Sequence, residues 1–316
     1  MLTRRDYLKN SALAGAACLL PSDLLRALER NTLITRAIPK TGEHLPIVGL
    51  GSSASFRKVA SSDDWSALRS VIETLVKNGG TVLDTAPSYG ASEQLCGEIA
   101  RELGVTDDIF WATKVNVASR DTGIADADEA REQVDRSLEH LGKKPIDLIQ
   151  VHNLADLPTQ MPVVQEYKKN GKIRYIGTTS TRSSRHGDLE KAMREYPIDF
   201  IGVDYAVDNR LSAERILPLA KDLGIAVLVY VPFGRSRLWA RVKGQTVPEW
   251  AADFGADTWG KFFLKYVASN PAVTCITPAT SKPKHMLDNI GAAYGELPDA
   301  ATLRKMEEFV DALPSG

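Results

Sequence analysis

The chain has 316 residues, 43% of them hydrophobic and 25% charged, with a formal net charge of −1. A balance so close to neutral argues against nucleic acid or an anionic membrane as the main partner, because either favours a basic face. The three cysteines, Cys18, Cys96 and Cys275, are far apart and form no C-x-x-C or Cys/His cluster, which argues against a structural zinc site.

The N-terminus reads "TRRDYLK" (3–9), followed by the apolar run "SALAGAACLL". That run is about half the roughly 20 residues that span a bilayer, so it matches a signal h-region rather than a membrane helix. Residues 1–31 are therefore set apart as a leader and 32–316 as the body. "GAAC" at 15–18 lacks the leucine of a lipobox, so lipidation of Cys18 is not expected.

The body opens on "ITRAIPKTGEHLPIVGLG", whose turn at Lys40-Thr41-Gly42-Glu43 predicts a hairpin capping one end of the fold. Eight short, β-branched-rich apolar runs follow: 46–53, 81–86, 109–115, 146–153, 173–180, 200–206, 226–233 and 272–279. Between them lie segments such as "SEQLCGEIARELG", "ADEAREQVDRSLEHLG" and "SAERILPLAKDLG". Their apolar residues recur every three or four positions, and a glycine closes each, which predicts helices. Near-continuous apolar strands belong to a sheet buried on both faces, hence parallel strands joined by helical crossovers. Eight such units predict an α/β fold, a (β/α)8 barrel with the N-terminal hairpin and an extra C-terminal helix. A doubly wound sheet is the runner-up, but no G-x-G-x-x-G opens its first helix. The longest connection, 234–256, carries Trp239, Pro248 and Trp250 and is too long for a simple turn. Cys275 sits inside the last apolar run and reads as a buried small hydrophobe rather than half of a disulfide.

In such a barrel the active site lies at the C-terminal ends of the strands. The polar residues there are Asp84, with Tyr89 five positions on, Lys114 and His152. Taken singly each has a plainer reading: a turn cap, a loop aromatic, a solvated strand end, a structural histidine. Together they make a chemically complete set. A tyrosine with its ordinary pKa near 10 is a poor acid at neutral pH. An adjacent ammonium lowers that pKa, a carboxylate holds the ammonium, and a histidine orients a substrate carbonyl.

These residues resemble the aldo-keto reductases. "LDTAPSYG" (83–90) is similar to the family's signature around its catalytic aspartate and tyrosine, while "ATKV" (112–115) and "VHN" (151–153) are similar to the segments bearing its lysine and histidine. The likeness runs from about residue 33 to 298 and includes "GLGS", "YIGTTS", "YVPFGR" and "SKPKHMLDNIGA". It implies a barrel that reduces a small aldehyde or ketone substrate with NADPH, NADH being the alternative, and a monomer. It further implies cofactor contacts from Gly51 and Ser52, from Thr179 and Ser180, and from Tyr230, the position of the aromatic that stacks on the nicotinamide. Phe233, Gly234 and Arg235 match the loop over the pyrophosphate, and Thr280, Ser281, Lys282, His285, Asp288 and Asn289 fall on adenosine-phosphate positions. The chain departs from the family where Gly-Thr-Thr-Ser (177–180) stands for Gly-Val-Ser-Asn, where Gly202 stands for a glutamine, and where His285 stands for an arginine. The altered carboxamide contacts, with the unusual leader, give the competing reading: a non-catalytic nucleotide-binding sensor or scaffold on the same fold. A barrel hydrolase or isomerase has little support, since no paired carboxylates sit at the strand ends.

The leader, for its part, resembles a twin-arginine export signal, with Thr3 before the arginine pair and Tyr7-Leu8-Lys9 after the variable residue. It departs in having tyrosine where phenylalanine is commoner and no clean A-x-A site. The resemblance implies passage of a folded, cofactor-loaded protein through the twin-arginine translocation machinery to the bacterial periplasm.

Overall fold

The computed structural model describes residues 32–53, 56 and 65–314. The leader (1–31), with its arginine pair and Cys18, lies outside the described residues. The predicted hairpin is present: β1 (Thr35–Ala37) pairs antiparallel with β2 (His44–Pro46), Ala37 opposite His44. The eight apolar runs become β3 (Leu50–Gly51), β4 (Val82–Asp84), β5 (Phe110–Val115), β6 (Ile146–Val151), β7 (Ile173–Ser180), β8 (Phe200–Asp204), β9 (Ala226–Tyr230) and β10 (Cys275–Ile276). All are parallel and neighbour one another in chain order. Bridges Val48–Ile276 and Gly51–Ala279 join the first strand to the last, so the sheet closes into the (β/α)8 barrel. That seam is shorter than the sequence runs suggest. Gly51 N donates to the Pro278 carbonyl, but Pro278 has no N–H to continue the ladder.

Helices α1 (Ser66–Lys77), α2 (Ser92–Leu103), α3 (Ala127–Leu141), α4 (Leu157–Lys169) and α5 (His186–Glu195) follow β4's predecessor and then each strand in turn. The short α6 (Leu211–Glu214) and α7 (Ile216–Asp222) together make the crossover from β8 to β9. Then come α8 (Arg237–Arg241), α9 (Trp259–Ala268), α10 (Pro283–Gly291) and the extra α11 (Ala300–Asp311). The local reasons are visible in α3. Asp126 caps its N-terminus by accepting from Asp128 N and Glu129 N, and Gly142, at φ 70°, ends it in a left-handed turn that a side chain disfavours. Its buried positions, Ala130, Val134, Ser137, Leu138 and Leu141, are one helical stripe.

Two apolar layers result. The larger lies between strands and helices; the smaller fills the barrel and includes Phe110, Leu148, Tyr175, Phe200, Leu228, Tyr230 and Cys275. Ile38 and Leu45 of the hairpin belong to the inner layer, so the hairpin plugs the N-terminal end. Lys40 Nζ donates to the Ile198 carbonyl at 2.6 Å, and Tyr175 OH donates to Glu43 at 2.7 Å, fastening the plug. Cys96 and Cys275 are both buried free thiols, as the sequence reading expects. In the 234–256 connection Trp250 stacks among Phe254, Phe262 and Phe309, with Lys305 Nζ 4.3 Å above its ring. Trp250 therefore pins this segment to the barrel, whereas Trp239 is 41% exposed beside Phe233.

Candidate active site

The four predicted catalytic residues converge at the C-terminal end of the barrel. Asp84 ends β4, and a 3-10 turn over Pro87–Tyr89 begins three residues later. Lys114 is the penultimate residue of β5, and His152 follows β6 directly. Lys114 Nζ donates to both Asp84 oxygens at 2.8 Å and to the Thr85 carbonyl at 2.7 Å. It lies 5.2 Å from the centre of the Tyr89 ring. The His152 ring meets Tyr89 edge-on, 6.0 Å away and inclined at 81°. Asp84 and Lys114 are only 3% and 2% exposed, so the ion pair is desolvated beneath the half-buried Tyr89 and His152.

Burial sets the protonation states. It pushes the Asp84 carboxyl up, and the Lys114 ammonium and Tyr230 hydroxyl pull it back. Every group bonded to the Asp84 oxygens is a donor, which holds it as a carboxylate. Burial works against the Lys114 ammonium, but Asp84 and Tyr89 outweigh it and Lys114 stands above its ordinary value. Burial also holds the Tyr89 phenol above its usual range, with Lys114 the main opposing influence. The expectation that Lys114 brings the Tyr89 pKa down is corrected to this extent: the ammonium acts in that direction, and desolvation exceeds it. Burial and the Lys114 charge hold His152 at about 3, so the imidazole is neutral at pH 7 and can donate a hydrogen bond.

Beneath the tetrad lies a contact that the sequence reading missed. Tyr230 OH is 2.9 Å from Asp84 Oδ1 and 2.7 Å from Gln150 Oε1. Gln150 was legible in principle: it stands two positions before His152, and so at the same alternation, in the strand run that leads to that histidine. Gly202 makes the arrangement feasible, since a Cβ there would come within 2.2 Å of Tyr230 Cε2.

The residues implicated in cofactor binding fall into three groups. Gly51 and Ser52 are buried in the barrel seam. A Cβ on Gly51 would meet the Thr277 carbonyl at 2.6 Å, and the Ser52 carbonyl accepts from Ser92 Oγ, so packing accounts for both. Thr179 Oγ1 already accepts from Asn153 N at 2.9 Å, and Ser180 Oγ lies 3.5 Å from the Arg182 carbonyl. Along the rim, Phe233 packs on Trp239, and Gly234 opens a turn in which Arg235 reaches across to donate to Thr181 Oγ1 at 2.9 Å. Val231, Arg235 and Ser236 all have positive φ (58°, 53° and 77°), each a strained conformation costing on the order of 1 kcal/mol. The third group surrounds the start of α10. Thr280 Oγ1 accepts from Lys282 N, next to Ser281, and Lys282, Lys284 and His285 are exposed around the first turn. Partial burial and the two lysines hold His285 below its ordinary value. Asp288 accepts from Thr258 Oγ1, the N-cap of α9, and so joins α10 to α9, and the neighbouring Asn289 is buried.

Cavities of about 250 and 400 Å³ lie elsewhere, beside Tyr294–Glu296 and beside Pro145, and contain none of these residues. Among the described residues there is no His, Cys, Asp or Glu group arranged for a metal ion, and no helix is long and apolar enough to cross a membrane.

The profile of the Aldo/keto reductase family matches residues 47–309. The chain is 28% identical over 298 residues to aldo-keto reductase str7 of Strobilurus tenacellus, covering 83% of this chain and 86% of that protein. It is 32% identical over 214 residues to aldo-keto reductase YhdN of Bacillus subtilis, covering 65% and 64%. Among solved structures it resembles the holo form of an aldo-keto reductase from Bacillus halodurans, with TM-score 0.70, 22% identity and coverage of 90% and 98%. It also resembles an aldo-keto reductase from Klebsiella pneumoniae in complex with NADPH, with TM-score 0.71, 20% identity and coverage of 88% and 96%.

Proposed function

The chain belongs to the Aldo/keto reductase family, whose members are NAD(P)H-dependent oxidoreductases, and from that premise we propose that it reduces an aldehyde or ketone to the alcohol, with NADPH as cofactor and Tyr89 as proton donor. The observation that carries this reading is the desolvated Asp84–Lys114 pair set directly under Tyr89 and a neutral His152. His152 donates to the substrate carbonyl and orients it. The Tyr89 phenol, protonated at rest, gives its proton to the carbonyl oxygen. The resulting phenolate forms beside the Lys114 ammonium, which stabilises it more than it stabilises the neutral phenol. Asp84 fixes that ammonium in place, and solvent at the mouth reprotonates Tyr89.

The residues present fit a nicotinamide dinucleotide. The first turn of α10 offers the positive end of a nine-residue helix together with Lys282 and Lys284, a donor set suited to a phosphate. Arg235, tied to Thr181 across the rim, suits a pyrophosphate, and the Thr179 hydroxyl keeps its proton free to donate. When bound there, the cofactor supplies the hydride. With His285 uncharged, Lys282 is the residue that favours NADPH over NADH.

A second reading, a nucleotide-binding sensor, is favoured by the carboxamide side, where Gly202 offers no side chain. Fluorescence titration with NADPH, followed by single turnovers against a panel of reactive carbonyls, separates the two. Oxidation of bound NADPH by a carbonyl supports the reductase; binding with no oxidation by any carbonyl overturns it in favour of the sensor. We further propose a monomer that is exported, cofactor-loaded, to the periplasm by the twin-arginine route and that retains its nucleotide tightly. Unchanged cell fractionation of the Arg4→Lys/Arg5→Lys chain would refute the export.

A further inference from the structure

We propose that Tyr230 is a positioning residue for the proton-donating machinery, its hydroxyl anchoring Asp84 as the charged partner of Lys114. This rests on the reductase reading and adds a fifth side chain to the site. Tyr230 ends β9, and its ring lies in the inner apolar layer rather than at the mouth. Its single phenolic proton has two acceptors in reach, Asp84 Oδ1 at 2.9 Å and Gln150 Oε1 at 2.7 Å. The Gln150 contact is the shorter, but the carboxylate carries the charge and is the stronger acceptor. Lys114 Nζ also sits 5.2 Å from the centre of the Tyr230 ring, so ring and hydroxyl both act on the same ion pair.

The chain is built to allow this. Gly202 leaves open the volume that the ring crosses, because a Cβ there would lie 2.2 Å from Cε2 and 2.9 Å from Cζ. A Cβ at residue 202 would collide with the ring where it stands to make the Tyr230–Asp84 bond. Directly after Tyr230 the backbone turns through Val231 at φ 58°, an unfavourable conformation for a β-branched residue.

Among the described residues, the groups facing this pair come from several elements. Lys114 comes from β5, Tyr89 from the turn after β4, His152 from the end of β6, Cys275 from β10, and Arg235 from the loop after β9 acts on Tyr89. Tyr89 and Tyr230 are neutral phenols held above their ordinary range, Cys275 is a thiol pushed up by burial, and His152 is neutral. Among the described residues, Lys114 is thus the one full charge against Asp84, and the Tyr230 hydroxyl is the remaining side-chain donor to its carboxylate.

Tyr230→Phe keeps the ring and removes only the hydroxyl. In the full chain labelled with 13C-aspartate, the apparent titration midpoint of the Asp84 carboxylate is expected to rise by about one pH unit. The acid limb of the kcat profile moves upward by the same amount, while NADPH affinity by fluorescence stays unchanged. Gly202→Ala, which displaces the ring without deleting the hydroxyl, produces the same midpoint shift. An unmoved Asp84 midpoint in Tyr230→Phe overturns the proposal, and an accompanying loss of NADPH affinity would assign the Tyr230 hydroxyl to cofactor binding instead. Because the carboxylate is read without turnover, the two readings fail separately. A shifted midpoint in a chain that reduces no carbonyl sinks the reductase and leaves the tether standing.

Discussion

At the N-terminal end of the barrel, Asp147 and Asp199 are 0% and 5% exposed, as buried as Asp84 at the other end, yet their surroundings differ in kind. Asp147 accepts from Trp111 N at 2.8 Å, from Lys143 Nζ at 2.9 Å and from Arg174 at 2.6 Å. Asp199 accepts from Ile176 N at 2.9 Å and from Lys168, with Lys40 of the hairpin turn 3.5 Å away. Each of these carboxylates pins a neighbouring strand's amide and is met by two cations that reach solvent. Every bond is satisfied and nothing is left to react. Asp84 is met by one buried ammonium and one phenol, while Tyr89 and His152 stand half-buried at the mouth with bonding capacity to spare. Burying a charge is costly in both places. At one end the return is strand registry and closure of the barrel; at the other it is a half-buried phenol beside a fixed positive charge, the arrangement the proposed reduction uses.

The sharpest way to break this contrast is Tyr89→Phe. It removes the transferable proton and leaves the ion pair intact, so kcat is expected to fall roughly 10³-fold. NADPH binding by fluorescence and the melting temperature should hardly move. Preserved turnover would dissolve the functional distinction between the two ends.

Asp147→Ala is the counterpart at the closed end. It strands Lys143, Arg174 and Trp111 N without their shared acceptor, and stability is expected to drop by about 3–5 kcal/mol in denaturant titrations. The kcat per folded molecule should stay at the wild-type value, since Asp147 bonds to no member of the tetrad.

His152 provides a pH-dependent test of the open end. The unfolded chain takes up its proton near the ordinary 6.5, whereas the folded chain waits until about 3. The unfolded state therefore binds more protons in that window, and stability, fully present above 6.5, is lost as pH falls toward 3. The slope is at most about 1.4 kcal/mol per pH unit. His152→Gln should flatten that part of the melting-temperature profile, and an unchanged slope would show that His152 is not held neutral by its surroundings.

Much of this was legible beforehand. The eight apolar runs with glycine-closed helices between them predict the barrel, and Asp84, Lys114 and His152 are conspicuous because they end such runs. Two features were not legible. The Tyr230–Asp84 bond joins residues 146 apart, and it depends on an empty volume at Gly202 that reads in one dimension only as a missing glutamine. The direction of the Tyr89 shift depends on how deeply the phenol is buried against how close Lys114 lies, and neither quantity is a property of spacing. The seam between β3 and β10 fell short of its sequence runs for a local reason, the missing amide of Pro278.

The smallest expected effect concerns the rim, where the proposed function places cofactor choice. His285 stands in the first turn of α10 and is held below its ordinary value by partial burial and by Lys282 and Lys284. It therefore adds no charge at pH 7, and any preference for a 2′-phosphate falls to Lys282. His285→Arg would install a permanent charge in a fork that matches phosphate oxygens. The ratio of NADH to NADPH dissociation constants should rise about tenfold, equivalent to about 1.4 kcal/mol. In the wild type the same ratio should grow as pH falls below the ordinary histidine range and the imidazole gains its proton; in the arginine variant it should be flat. Fluorescence titrations with both nucleotides across pH read this directly, and a ratio that neither the substitution nor pH alters would remove His285 from the 2′-phosphate site.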